Sequence, residues 1–377
     1  MRDPRLDRLA TLLVQYSAGV KPDDLVRIRS ELPGLPLVEA VYEAVLKAGG
    51  NPFVQLTTEA MSDAFFRTAS AKQLAYVSPI ASYTVEQIDV HIGLWAEENT
   101  RSATNIPPEK MVLSAQAGKA ISKRFLQRAA EGKLRLVGTQ YPTQACAQDA
   151  EMSLHEYENF VFGAGLLHLD DPVAAWRKLG EAQQRLADFL NKTKEIRVLA
   201  PGTDLCLGVA GRKWINCCGH ENFPDGEVFT APIEDAVDGT IQYSFPAVHM
   251  GRECLDIRLT FRAGKVVDVQ ASKGLDFLIK MLDQDAGART LGEFALGTNY
   301  GIQQYTRNTL FDEKIGGTCH AAVGAAYPES GGVNESGLHW DMVCDLRQPG
   351  AQVLADGVPI LEAGRFLRPE WPQPPVC

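Results

Sequence analysis

Carboxylates and imidazoles recur between Glu227 and Asp341 of this chain, in segments whose other residues are glycine, alanine, threonine or large apolar residues. Neighbours of these types are typical of buried segments, where an isolated charge is strongly disfavoured. We therefore expect these acidic and imidazole groups to converge, either on bound cations or in an extensive network of ion pairs. If they converge on cations, the chemistry of these residues is the coordination of divalent metal ions.

The first candidate ligand pair is His339 and Asp341, within the run Leu338–Asp345, which has the pattern of a strand. Alternate residues of a strand point to the same face, so this pair presents one nitrogen and one oxygen side by side. Such a mixed pair suits Zn²⁺, Co²⁺ or Mn²⁺ better than Ca²⁺, which takes only oxygen. A surface or structural pair is the alternative.

His320 lies in a segment of small residues, where a metal or ligand can approach the backbone closely. Glycine or alanine occupies many of the nearby positions: Gly316, Gly317, Ala321, Ala322, Gly324, Ala325 and Ala326. A core histidine with ordinary hydrogen bonds would give the same pattern. Asp312 and Lys314, a few residues earlier, fit a surface ion pair of little energetic value.

Two glutamates lie in comparable surroundings. Glu227 follows the turn Pro224-Asp225-Gly226, which delivers its carboxylate to the start of an apolar strand. Glu293 is embedded among apolar residues and glycines, where an unpaired carboxylate is costly. A structural ion pair with Arg289 is the alternative for Glu293.

Four runs of the sequence together resemble peptidase family M29, the thermophilic metalloaminopeptidases of the aminopeptidase T and aminopeptidase S group: FPDGEVFTAP, ARTLGEFALGTN, NTLFDEKIGGTCHAAVGAAYPESGG and NESGLHWDMVCDLR. The likeness is close in the C-terminal half and looser before residue 190. It implies a metal-dependent aminopeptidase that removes N-terminal residues from short peptides with a free amine. It also implies a homodimer.

The resemblance implies two divalent cations, drawn from Zn²⁺, Co²⁺, Mn²⁺ and Mg²⁺, and six metal ligands: Glu227, Glu293, Glu313, His320, His339 and Asp341. Glu293 would bridge the ions, with Glu227, His320 and Asp341 on one of them and Glu313 and His339 on the other. Glu313 is the first choice as catalytic base. Tyr327 is the second catalytic candidate, as a hydrogen-bond donor to the developing oxyanion, and its alternative role is packing beside Pro328.

The elements that must position these residues fall into two regions. Before residue 190, apolar runs at Leu25–Ile28, Pro52–Leu56, Ile88–Leu94 and Leu134–Gly138 alternate with helical patterns. This β-α-β rhythm predicts an α/β domain with a mostly parallel sheet. A helix predicted over Asp171–Lys192 ends the region.

Beyond that helix, the turns at Pro201-Gly202 and Arg262-Ala263-Gly264 connect pairs of alternating strands, and a helix is predicted over Gly274–Asp283. We therefore expect an α/β N-terminal domain over residues 1–190 and an α+β metal-binding catalytic domain over residues 191–377. The proline-rich tail after Pro369 is predicted to be irregular surface chain.

Composition narrows the classes of partner. A formal net charge of -10 argues against nucleic acid as a partner, and no run has the length of apolar sequence that a membrane span needs. The charged N-terminus lacks the apolar core of a signal peptide, so we expect a cytoplasmic protein. The eight cysteines include no C-x-x-C pair and are expected to be reduced and mostly buried.

Two other functions compete with the aminopeptidase. A metal-dependent hydrolase of another amide or of an ester would use the same ions and differ only in a pocket that the sequence does not reveal. A non-enzymatic binder of small molecules is disfavoured, because Gly163-Ala164-Gly165 lies in a helix-like apolar run and lacks the third glycine of a dinucleotide fingerprint.

Overall fold

A computed structural model of the chain describes residues 2–374. Pro375 of the proline-rich tail and Cys377 lie outside the described residues. The chain divides into two compact units, one formed by Met1–Val173 with Gly219–Phe223 and the other by Ala174–Cys218 with Pro224–Cys377. The predicted boundary at residue 190 stays a prediction, because these units describe which residues contact one another and not which segments fold independently.

The helices and strands of the described residues are numbered in chain order. The helices are α1 Pro4–Leu12, α2 Leu35–Lys47, α3 Glu59–Thr68, α4 Ala71–Leu74, α5 Pro79–Gln87, α6 Pro108–Ala130, α7 Gln144–Asp149, α8 Leu154–Ala164, α9 Pro172–Leu190, α10 Leu275–Leu282 and α11 Thr309–Asp312. Short π-helical and 3₁₀ segments lie at Leu13–Ser17, Leu32–Gly34 and Pro328–Ser330.

The strands are β1 Leu25–Glu31, β2 Asn51–Thr57, β3 Val90–Trp95, β4 Arg135–Gln140, β5 Glu195–Ala200, β6 Thr203–Gly208, β7 Ile215–Cys217, β8 Asn222–Phe223, β9 Glu227–Thr230, β10 Val237–Gln242, β11 Ala247–His249, β12 Arg252–Cys254, β13 Arg258–Arg262, β14 Lys265–Gln270, β15 Leu291–Gly297, β16 Thr318–Gly324, β17 His339–Trp340, β18 Val343–Asp345, β19 Gln352–Ala355, β20 Val358–Glu362 and β21 Arg365–Phe366.

The first unit contains a five-stranded sheet in the order β2-β1-β3-β4-β8, and every pair in it is parallel. Parallel neighbours need crossover connections, which helices such as α2 and α6 supply. The helix α2 buries an apolar stripe of Leu37, Val38, Val41 and Val45 at helical spacing. The α/β fold predicted for this region is confirmed.

The second unit is built from antiparallel sheets. The larger has the order β14-β13-β10-β6-β5-β19-β20-β21, and it includes the predicted hairpins β5–β6 and β13–β14. A second has the order β17-β16-β15-β9-β7, with β18 also paired to β16, and β11 and β12 form a separate two-stranded sheet. With helices α9 and α10 beside these sheets, the predicted α+β class is confirmed.

Two differences from the sequence-based expectation have physical causes. The strand predicted over Leu338–Asp345 is split, because pairing with β16 stops after Trp340 and resumes at Val343. Helices α3 to α5 were not predicted, and the apolar residues of α3 explain why: the helix buries none of its residues, so it lacks the core-facing stripe on which the prediction depends. Within residues 2–374, none of the helices combines the length and the apolar composition that a membrane crossing needs.

Candidate metal centre

Four neighbouring strands of the second unit present one site residue each on the same face of the sheet. In the ladder between β15 and β16, Ala295 lies opposite His320 and Glu293 opposite Ala322, so the period of two places Glu293 and His320 on one face. Gly297 pairs with Glu227 of β9, and Gly324 pairs with His339 of β17. The face therefore carries Glu227, Glu293, His320 and His339 in a row across four strands.

The positions between these side chains on the same face are small. They are Ala295, Gly297, Ala322 and Gly324. At Gly297 an added Cβ would lie 2.1 Å from the carbonyl oxygen of Ile315, and at Gly324 it would lie 2.1 Å from that of Leu338. The small residues that surround His320 in the sequence thus leave room for polar groups and for close approach of the backbone.

The opposite face of the same strands is apolar core. Val228, Phe294, Leu296, Cys319, Ala321 and Val323 are all buried within one hydrophobic cluster. Burial of that face fixes the register, because a slip by one residue would move the charged row into the core. The geometry of the charged row therefore follows from the apolar alternation of its own strands.

Glu313 and Asp341 reach the cluster from irregular chain. Glu313 follows the short helix α11, and Asp341 lies in the break between β17 and β18. Gly226, which precedes Glu227, has a φ of 127° and leaves no room for a side chain, since its Cβ would lie 2.5 Å from that of Asn299.

All six side chains predicted as metal ligands converge. The His320 Nε2 atom lies 3.2 Å from a Glu293 oxygen, 3.5 Å from a Glu227 oxygen and 3.9 Å from an Asp341 oxygen. The His339 Nε2 atom lies 3.4 Å from the second Glu293 oxygen and 3.5 Å from Asp341. Glu313 also belongs to the cluster, because its carboxylate lies close to His320 and Asp341.

Both imidazoles are oriented by the main chain. The Nδ1 atom of His320 lies 3.1 Å from the carbonyl oxygen of Glu313, and that of His339 lies 2.9 Å from the carbonyl oxygen of Ala325. A carbonyl can only accept, so each Nδ1 donates and each Nε2 is directed into the carboxylate cluster. This is the arrangement typical of histidine ligands to metals.

The electrostatics of the cluster favour a cation. Burial alone would lower the pKa of the imidazoles, but the carboxylates around them outweigh it and raise the pKa of His320 to about 10 and that of His339 to about 11. Two buried oxygens, Glu227 Oε2 and Asp341 Oδ1, accept no hydrogen bond. Oxygens of this kind and neutral Nε2 atoms form the mixed set that suits borderline divalent metals, so the residues present fit a metal site.

The six side chains form three overlapping groups, each with its ligand atoms within 4.8 Å of one another: Glu227, Glu293 and His320; Glu293, His339 and Asp341; Glu313, His320 and Asp341. Glu227 also forms a group of this kind with Cys217 and Asp225. Glu293 occurs in the first two groups, as a bridging residue would. Asp341 is close to both imidazoles, whereas Glu313 is grouped with His320 and not with His339. This differs from the division between metals that the resemblance implies, and that division stays a prediction.

Tyr327 lies at the edge of the cluster. Its ring contacts the His339 ring with 5.1 Å between centroids and the Phe229 ring with 5.4 Å. The side chain is 44 % exposed, so it packs on one side and remains open on the other.

Lys314 is the component that sequence reasoning missed. The surface ion pair that Lys314 and Asp312 would fit from their sequence is wrong, because both side chains are buried. The Lys314 Nζ atom lies 2.9 Å from Glu227 and 3.8 Å from Asp225, and it also contacts Glu313. Burial opposes the charge, but these carboxylates raise the pKa of Lys314 well above its ordinary value, so the ammonium persists.

The alternative partner proposed for Glu293 is also wrong. Arg289 pairs with Asp283 at 2.7 Å and donates to the carbonyl oxygen of Val266. Glu293 instead lies against the two imidazoles, which hold the pKa of its carboxyl below the ordinary value although burial alone would raise it. Asp312 accepts from the backbone and hydroxyl of Thr306.

Comparisons with known proteins bear on this site. A sequence model of peptidase family M29, described as thermophilic metalloprotease, matches residues 2–366. Aminopeptidase 2 of Geobacillus stearothermophilus is 27 % identical over 97 % of this chain and 98 % of that protein. The solved structure of wild-type AmpT from Thermus thermophilus has the same fold, with a TM-score of 0.84 and 24 % identity over 97 % of this chain and 99 % of that one.

A 2,5-dihydroxypyridine dioxygenase from Pseudomonas putida is also similar in structure, with a TM-score of 0.58, 14 % identity and coverage of 97 % of each chain. At that identity the likeness concerns the fold alone. One architecture therefore occurs with different reactions, and function has to be argued from the side chains of the site.

The burial of Lys314 generates a stability prediction. Lys314→Met removes the buried cation and leaves Glu227 and Glu313 without it, so the free energy of unfolding of the metal-depleted protein should fall by about 3–5 kcal/mol. Urea denaturation after chelation measures the change. Lys273→Met is the matched control, because Lys273 pairs with Glu253 but is 60 % exposed, and its loss should cost about 1 kcal/mol or less. Equal losses in the two variants would contradict the structural role given to Lys314.

Proposed function

The chain belongs to peptidase family M29, the thermophilic metalloproteases, and we propose that it is an aminopeptidase whose hydrolytic water is activated by two divalent cations bound at the carboxylate and histidine cluster. Metal-dependent peptide hydrolysis by an exopeptidase follows from the family and from its named aminopeptidase relatives. The number of cations, their ligands and the roles of the individual residues are the part proposed.

The charge of the cluster is the observation that carries the two-cation proposal. The cluster contains one ammonium, from Lys314, and five carboxylates, from Asp225, Glu227, Glu293, Glu313 and Asp341. With neutral imidazoles the formal charge is therefore -4. Two divalent cations balance that charge, and one leaves a buried excess that is costly without further compensation.

We assign the metal ligands as Glu227, Glu293, Glu313, His320, His339 and Asp341. Glu293 is the bridging residue, because its two oxygens face different imidazoles. The mixture of carboxylate and imidazole accepts Zn²⁺, Co²⁺, Mn²⁺ or Mg²⁺. Lys314 is a positioning residue, since its ammonium holds Glu227 and Glu313 in place.

Cations bound here would supply Lewis acidity to the scissile carbonyl and lower the pKa of a water molecule. The protein groups do the rest. Glu313 is the proposed base: like Asp341 it reaches the cluster from irregular chain, but burial raises the pKa of Glu313 whereas that of Asp341 is lowered. Tyr327 is the proposed hydrogen-bond donor to the oxyanion. Its exposed side chain lies against the His339 ring, and its hydroxyl forms no hydrogen bond with the described residues.

A homodimer is proposed for the first unit. Helices α3 and α4 form an apolar groove with Met61, Phe65 and Tyr76 exposed along it. Exposed apolar surface of this kind marks an interaction site. A second copy of the chain is the occupant we propose, in agreement with the dimer that the sequence resemblance implies.

The cytoplasmic location expected from the sequence stays a prediction.

Metal content tests the bridging role of Glu293. Purified protein should contain two equivalents of divalent metal by inductively coupled plasma analysis, and Glu293→Gln should lose at least one of them together with most of kcat, because a bridging charge affects both sites. Glu362→Gln, an exposed carboxylate of the same unit, is the control and should keep both metals. Full occupancy and turnover in Glu293→Gln would remove the bridging assignment.

The exopeptidase assignment predicts dependence on the free amine. A leucyl peptide with a free N-terminus should be cleaved, and its N-acetylated counterpart should react with a kcat/KM lower by roughly a hundredfold or more, because orientation at the reacting carbonyl is lost. Product analysis by mass spectrometry identifies the bond cleaved. Similar rates for both peptides, with cleavage at internal bonds, would leave only a metal-dependent amide hydrolase.

The dimer is tested by light scattering after size exclusion. The wild-type protein should have twice the mass of one chain, and a Met61→Glu, Phe65→Glu double variant should shift toward the monomer, because charges in an apolar interface are costly to bury. Val267→Glu places a charge on an exposed apolar position of the second unit and should leave the mass unchanged. A monomeric wild-type protein would refute this proposal.

A further inference from the structure

An interior strand of the parallel sheet, β1, carries two arginines on one face. Val26, Ile28 and Ser30 of β1 are buried on the other face. Strands inside a parallel sheet are normally covered on both faces and apolar on both, because crossover helices pack there. Arg27 and Arg29 depart from that pattern at a position where the strand has a neighbour on each side, β2 and β3.

The charge of these arginines is not compensated by acids. Within residues 2–374, neither guanidinium takes part in an ion pair. Burial, and after it the neighbouring charge of Arg29, lower the pKa of Arg27. The Nε atom of Arg27 donates to Nδ1 of His91 on β3 at 3.1 Å. His91 must therefore be neutral, and burial together with the two arginines lowers its pKa to about 3.

A cavity of about 830 Å³ opens over this face of the sheet. Its floor contains Arg27, Arg29 and His91, and its walls are largely apolar, with Phe53 from β2 and Phe125 from α6. The Phe125 ring lies edge-on to the His91 ring, with 5.5 Å between centroids, and the Arg27 guanidinium lies 5.6 Å from its centroid. A cavity of this size, apolar with a few convergent polar groups, has the general character of a small-ligand site.

We propose that this cavity binds an organic carboxylate with an apolar or aromatic body, the carboxylate lying on Arg27 and Arg29 and the body lying between Phe53 and Phe125. A guanidinium binds a carboxylate through two parallel hydrogen bonds, which is the recognition that two unpaired arginines offer. The aromatic walls exclude a small hydrated anion as the best occupant, because it would leave them unfilled. The inference is independent of the peptidase assignment, since every residue in it belongs to the first unit.

Calorimetric titration of the intact, metal-loaded protein tests the site with 3-phenylpropionate and its neutral counterpart 3-phenylpropionamide as probes. The acid should bind at least tenfold more tightly than the amide, because only the acid forms charge-assisted hydrogen bonds. An Arg27→Gln, Arg29→Gln double variant should weaken binding of the acid to the level of the amide. Arg67→Gln is the control, because Arg67 is an exposed arginine on α3 outside the cavity.

A second variant separates the cavity from folding defects and from the metal centre. Ser122→Trp places a bulky ring at an exposed position of α6 that lines the cavity, and it should block both probes while peptide hydrolysis continues at the wild-type rate. Acid binding that persists in both cavity variants, or acid and amide binding equally, would overturn the proposal. A change of oligomeric state in these variants would also overturn it, since the face would then belong to an interface with a second copy.

Two sources of the carboxylate are distinguished by a peptide arm. N-acetyl-leucyl-phenylalanine, with a free or an amidated C-terminus, carries the same chemistry at the end of a peptide. Tight binding of the free form identifies the C-terminal residue of a peptide as an occupant. Binding of 3-phenylpropionate alone restricts the cavity to small carboxylates, and either result supports the site.

Discussion

The second unit is organised around a single electrostatic constraint: five carboxylates must share a buried space from which water is largely withdrawn. Charges in such a place require close cations. Lys314 provides one, and the remaining excess accounts for the other features of the region. The Nδ1 contacts of both histidines direct their Nε2 atoms inward, and the alanines and glycines between the ligands leave space there. The apolar alternation on the reverse face holds the whole row in register.

Much of this arrangement of side chains could be predicted from the sequence, because it depends on strand periodicity and on local composition. His339 and Asp341, two residues apart, do approach each other, and two of the small residues near His320, Ala322 and Gly324, lie on its face of the sheet. The identity of the set as six ligands came from the family resemblance, which no local pattern replaces. The convergence of six predicted residues in one cluster agrees with that assignment.

Lys314 could not be predicted in the same way. Its neighbours Asp312 and Glu313 give the segment the charge pattern of solvated chain, and its burial is decided by distant residues. The backbone of Asn299, two residues after the end of β15, forms hydrogen bonds with Lys314 and Gly316 and holds the segment beside the sheet. Helices α3 to α5 were not predicted for the opposite reason, because Leu74 and Val85 are their only buried residues and no core-facing stripe results. The alternation of Arg27, Ile28 and Arg29 in an interior strand was a visible signal, since arginines are unusual in a strand with a neighbour on each side.

The two charged clusters differ in what solvent can do for them, and this sets how strictly each needs a ligand. Arg27 is only half-buried and Arg29 is exposed, so water can hydrate their charges and an anion adds stability without being required. Glu293, His320 and Lys314 are almost completely buried, and water cannot replace a missing cation there. Protons on the two histidines partly substitute, as their raised pKa values show, but each proton carries one charge where a divalent cation carries two. The metal centre should therefore contribute to the folding of its unit as well as to catalysis.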